Sequence, residues 1–135
     1  MISDVTIGEI IARANTRECV FWGWQNTKFS ELKIKGIDIK KVFTGNNKLL
    51  NESEQFIDCK LLKGNSSKYF VIFPFWFKEK KTQEFYLKKL KEYGYTDGDW
   101  LTLAPKCVQN IGKNEGYIDT YGNTSSKIPG GGLNK

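Results

Sequence analysis

A chain of 135 residues, 39% hydrophobic and 14% aromatic, can bury one core without metal or disulfide staples. It contains no histidine, which excludes Ser-His and Cys-His nucleophile pairs, paired-histidine acid/base catalysis and Cys₂His₂ zinc sites. Its net charge of +6 comes almost wholly from lysine, since only Arg13 and Arg17 are arginine. Lysine attracts phosphates diffusely, whereas arginine reads bases in a bidentate way, so the charge points to loose polyanion affinity more than sequence readout.

Thr6-Ile7-Gly8-Glu9 reads as a capping box, and Ile7, Ile10, Ile11 and Ala14 continue it at helical spacing, predicting a helix over 6–15. Glu18 to Trp24 is β-branched and aromatic on both faces and reads as an interior strand. Asn26 to Phe29 reads as a turn. Leu32 and Ile34, then Ile37 and Ile39, alternate with polar residues and slip by one at Gly36, which predicts a strand with a bulge or a tight bend there, resuming through Val42 and Phe43.

Thr44 to Glu54 reads as a surface loop. Gln55 to Lys63 reads as a strand whose alternation puts Asp58 and Lys60 on one face. Lys63 to Ser67 reads as a hairpin connection leading into Lys68–Phe77, the strongest strand. Lys80 to Tyr93 reads as a second helix with Tyr86, Leu90 and Tyr93 as its stripe, Phe85 beside it, lysines over the remainder, and Gly94 at C′. Thr96-Asp97-Gly98 turns the chain into a short strand from Trp100. Tyr117, Ile118 and Tyr121 read as a last strand. These elements predict an α+β fold, a mixed or mostly antiparallel sheet of about five or six strands with two main helices. Residues 1–121 are expected to form one globular domain and 122–135 a flexible Gly/Ser-rich tail.

The longest apolar run, Tyr69 to Phe77, is nine residues, about half of what a bilayer needs, so no membrane partner is expected. Met1 to Val5 lacks the features of a signal peptide, and Cys19, Cys59 and Cys107 are an odd, scattered set rather than a disulfide framework. Cytoplasmic free thiols are the expectation.

Three constellations stand out. The first is Asp58-Cys59-Lys60 on its strand, with Asp38 on another strand upstream and Glu9 on the first helix. The pattern resembles the signature of the PD-(D/E)xK restriction-like nuclease superfamily over roughly residues 6–95. That resemblance implies Asp38 and Asp58 as ligands of Mg or Mn, Lys60 steadying the attacking water, and Glu9 assisting. The second is aromatic and basic: Trp22 and Trp24 near Arg13 and Arg17, and Trp76 near Lys80 and Lys81. Rings among cations can stack bases while the cations hold phosphates. The third is Tyr117-Ile118-Asp119-Thr120-Tyr121, a polar cluster at the edge of the domain.

Two functional classes follow. One is a small basic protein engaging nucleic acid or another polyanion, such as a nuclease or toxin domain. The other is a non-catalytic protein-binding module, such as an immunity, inhibitor or phage or mobile-element accessory protein, whose exposed aromatic residues would be its hot spots.

Overall fold

A computed structural model of the chain describes residues 2–75 and 77–103. The expected strand at Tyr117–Tyr121 and the tail at 122–135 lie outside the described residues.

Ser3 accepts the Thr6 amide at 3.2 Å and opens helix α1 (Asp4–Ala14), so the cap sits three residues before the expected Thr6. Strand β1 (Glu18–Trp22) is buried on both faces and lies mid-sheet, as expected. Helix α2 (Asn26–Ile34) follows, then β2 (Val42–Thr44), the short helix α3 (Asn47–Leu50) and β3 (Phe56–Asp58). A 3₁₀ turn (Cys59–Leu62) leads through a loop to β4 (Tyr69–Phe73). Helix α4 (Lys80–Glu92) and β5 (Trp100–Thr102) complete the order.

The five strands line up as β3-β2-β1-β4-β5, and every neighbouring pair is parallel. This corrects the expected mixed or mostly antiparallel sheet. The cause is α2, which occupies the stretch read as a strand. Leu32 is buried, but Ile34 is 83% exposed, so the alternation carried by these two residues is an accident of spacing. Gly36, at φ +88°, is not a bulge but the end of this helix. Ile37 N–H bonds Leu32 C=O at 2.9 Å and Gly36 N–H bonds Lys33 C=O at 3.0 Å, the double closure of a Schellman motif. Gly94 closes α4 in the same way, with Tyr95 N–H on Leu90 C=O at 2.8 Å. With a helix between β1 and β2, the strands run parallel, because a parallel pair needs a crossover and an antiparallel hairpin does not.

Two further expectations change. The strand at Gln55–Lys63 stops at Asp58, whose Oδ1 accepts the Lys60 amide at 2.9 Å and turns the chain into the 3₁₀ segment. Residues 63–67 are then no hairpin but part of the crossover from the β3 edge to β4.

Strand alternation splits the core into two layers. Cys19, Phe21, Val42, Phe70, Ile72 and Leu101 meet α1 and α2 through Ile7, Ile10 and Leu32. Val20, Trp22, Phe43, Val71, Phe73 and Trp100 meet Leu62 and α4's Leu90 on the other side. Near-continuous apolar strands of this kind are what a doubly covered parallel sheet requires.

Candidate functional site

In an open parallel sheet, ligands bind outside the carboxyl ends of the strands, where the strand order reverses. Here the reversal falls between β1, which leads into α2, and β4, which leads toward α4. A side chain already fills that crevice. Gly23 follows β1 at φ +94°, and a Cβ there would lie 2.6 Å from the Phe75 ring. Phe75 in turn packs edge-on against Phe73 at 5.9 Å and Phe77 at 5.4 Å.

A smaller slot of about 120 Å³ opens nearby on the α4 side. Trp22 from the end of β1, Gly45 after β2 and Cys59 after β3 line it together with Phe85, Tyr86, Lys89 and Tyr93. Trp22 is only 3% exposed. Its ring meets Tyr86 edge-on at 5.2 Å and stacks on Tyr93 at 5.9 Å. Burial pushes both tyrosine hydroxyls above their ordinary pKa. Burial, and then the Asp58 carboxylate, raises the Cys59 thiol as well. At neutral pH these groups are uncharged, so Cys59 lacks the thiolate that nucleophilic chemistry needs. Lys89 is the one cation among the lining residues.

Phe85 is 54% exposed on the outer turn of α4. Lys81 lies four residues before it, and Lys88 and Lys89 lie three and four after, all neighbours on a helix surface. The Lys89 ammonium stands 5.9 Å from the Phe85 centroid. Among the described residues, Lys80, Lys81, Lys88 and Lys91 have no carboxylate partner, whereas Lys89 reaches Glu92 at 3.6 Å.

The residues singled out from the sequence go to different places. Asp38 precedes β2 and lines a cleft of about 540 Å³ with Arg17, Glu18 and Lys40, at the amino ends of the strands. Asp58 ends β3 in register with Thr44 at the carboxyl end of β2. Parallel strands therefore hold the two aspartates toward opposite ends of the strands, Asp38 at the amino ends and Asp58 at the carboxyl ends. Lys60 is not on a strand face beside Asp58 but in the turn that Asp58 caps. Glu9 pairs with Arg13 at 2.6 Å. Among the described residues no three His, Cys, Asp or Glu side chains converge as a metal site would require. The four residues of the acid-x-Lys pattern are not brought together.

The aromatic and basic set divides as well. Arg13 and Arg17 both lie over the Phe70 ring, each 5.4 Å from its centroid. Arg17 is further held by Asp99 at 2.7 Å and the Ser66 carbonyl at 3.0 Å. Trp22 is core, and Trp24 packs between Phe29 at 5.0 Å and Phe56 at 5.4 Å. Trp76 lies outside the described residues. Lys80 and Lys81 are exposed on α4. The ring that accompanies them is Phe85, which the spacing Lys81-Phe85-Lys88-Lys89 on a helix would have revealed.

The arrangement defines a doubly wound parallel α/β sheet with an aromatic slot at its carboxyl edge and a lysine-covered helix beside it. No family model matches this chain, nor does any curated protein or solved structure. No helix among the described residues is long and apolar enough to cross a membrane.

Proposed function

We propose that this chain is a polyanion-binding domain that engages nucleic acid through the outer face of α4. The observation that carries this reading is the exposed Phe85 ring among Lys81, Lys88 and Lys89, with Lys80 and Lys91 extending the charge along the helix. A solvent-facing phenylalanine costs free energy in water, and flanking cations make it a stacking platform for a base whose phosphates they neutralise. Binding without cleavage is the form of the reading supported by the separation of Asp38 from Asp58. A cytoplasmic setting accords with free Cys19 and Cys59.

The test is fluorescence anisotropy with labelled single- and double-stranded oligonucleotides across a salt series. Three phosphate contacts on a single strand give a log–log slope of about −2. Replacing Lys80, Lys81 and Lys88 together by Gln flattens that slope and weakens binding to every sequence alike. A flat salt dependence in the unaltered protein overturns the reading.

One observation favours the protein-binding alternative. The opposite layer exposes Val5 and Ile11 on α1 and Ile34 on α2, and α1 carries no lysine. Such a module would use these aliphatic side chains rather than the tryptophans, and flat salt dependence would favour it.

A further inference from the structure

The lysine face accounts for phosphates and leaves the slot behind Phe85 without a use. The slot has three properties that select a ligand. Its walls are aromatic, with the Trp22, Tyr86 and Tyr93 rings and Phe85 meeting Tyr86 edge-on at 5.2 Å. Its hydroxyl and thiol groups are neutral at pH 7, as such groups ordinarily are, and Lys89 is the one charged group among the lining residues. Its size, about 120 Å³, suits one planar heterocycle and not a nucleoside with its phosphate. Lys89 offers a phosphate one cation here, whereas the exposed Lys81 and Lys88 offer the same outside without burying the anion against rings. An uncharged flat ring gains stacking and gives up little water.

Resting on the polyanion reading, we infer that this slot takes a single unstacked nucleobase from a strand whose phosphates lie along the α4 lysines. Lys89, which lines the slot and also stands over Phe85, joins the two surfaces. The ligand class is therefore single-stranded nucleic acid, because a paired base is not free to leave its stack. Gly45 gives access: it is exposed, has an ordinary backbone conformation, and an added Cβ would meet only the Cys59 sulfur at 3.8 Å.

The experiment compares three probes on the full chain by competition anisotropy: a short single-stranded oligonucleotide, an abasic sugar-phosphate strand of equal length, and inorganic polyphosphate. A single seated base makes the base-bearing strand bind about tenfold tighter than the abasic one, the fold-change of one stacked base. Gly45→Leu and Gly45→Met, which fill the slot and leave the Phe85 ring in place, each abolish that preference. Melting curves for both variants establish that they fold, and either variant alone suffices. A base preference that survives slot filling overturns the base slot and leaves stacking on Phe85 standing; equal affinity for all three probes, with steep salt dependence, overturns both base contacts and leaves phosphate binding by the lysines. Absence of binding to any probe overturns the base slot and the polyanion reading alike.

Discussion

The Phe75 ring lies directly over the α-carbon of Gly23, so that a single added methyl group would come within 2.6 Å of it. The contact seals the point where the strand order reverses, which in sheets of this kind is usually left open for a ligand. The recognition surface is thereby displaced toward α4. Gly23→Ala should lower stability by about 1–3 kcal/mol, part from the φ of +94° and part from the ring. Urea unfolding of Gly23→Ala alone and with Phe75→Leu separates the two. Full recovery in the double variant would mean that the backbone conformation contributes nothing.

Arg17 and Asp99 give the clearest dependence on pH. Burial alone would raise the Asp99 carboxyl. The Thr96 amide at 2.8 Å, the Arg17 guanidinium at 2.7 Å and the Thr96 hydroxyl at 3.0 Å outweigh it and hold the carboxyl below its usual range. A carboxylate whose folded pKa is depressed contributes stability that is present above its unfolded value, about 3.9, and lost as pH falls through the folded value. Asp99→Asn should therefore cost about 1–2 kcal/mol at pH 7. The gap from wild type should shrink below about pH 4. Thermal melts from pH 7 down to pH 2 test it, and a gap constant across that range would refute it.

The thiols should be inert. Burial raises Cys19 to about 11, and Cys59 is raised as well. In a Cys107→Ser background, native protein at pH 7.5 should react with iodoacetamide roughly tenfold or more slowly than free cysteine, because the thiolate is the reactive form. Urea should restore the ordinary rate. Fast labelling of folded protein at Cys59 would show a thiolate that burial of the thiol opposes.

Asp58 should behave as a cap. Asp58→Ala removes the acceptor of the Lys60 amide and should cost about 1 kcal/mol or less, with no effect on nucleic-acid affinity. Asp38→Ala, at the amino ends of the strands, should leave stability near wild type and add independently to Asp58→Ala. Strong coupling between the two in a double-mutant cycle would contradict their separation.

What the sequence disclosed follows its physics. Strands β1 and β4 declare themselves because both faces are apolar, and α4 because Tyr86, Leu90 and Tyr93 recur at helical spacing before a C′ glycine. Helix α2 does not, because only Leu32 is buried while Ile34 faces water. With α2 read as a strand and residues 63–67 as a hairpin, the pattern predicts a mixed or mostly antiparallel sheet where the strands are all parallel. The alternation that puts Asp58 and Lys60 on one strand face does not hold, because Asp58 itself turns the chain before Lys60. Phe85 was hidden by its neighbours, a ring beside an apolar stripe that belongs to the lysine face instead.

The strand order also dictates when the protein can become itself. Strand β1 is flanked by β2 on one side and β4 on the other, and Arg17, one residue before it, is clasped by Asp99, one residue before β5. As the chain emerges from a ribosome, β1, β2 and β3 can associate early, yet β1 keeps one bare edge until β4 arrives and the clasp waits for β5. Folding is thus gated by distant segments, a topology that slows the search and leaves a strand edge open to other chains meanwhile. Truncation before Asp99 should therefore yield an aggregating fragment rather than a smaller domain.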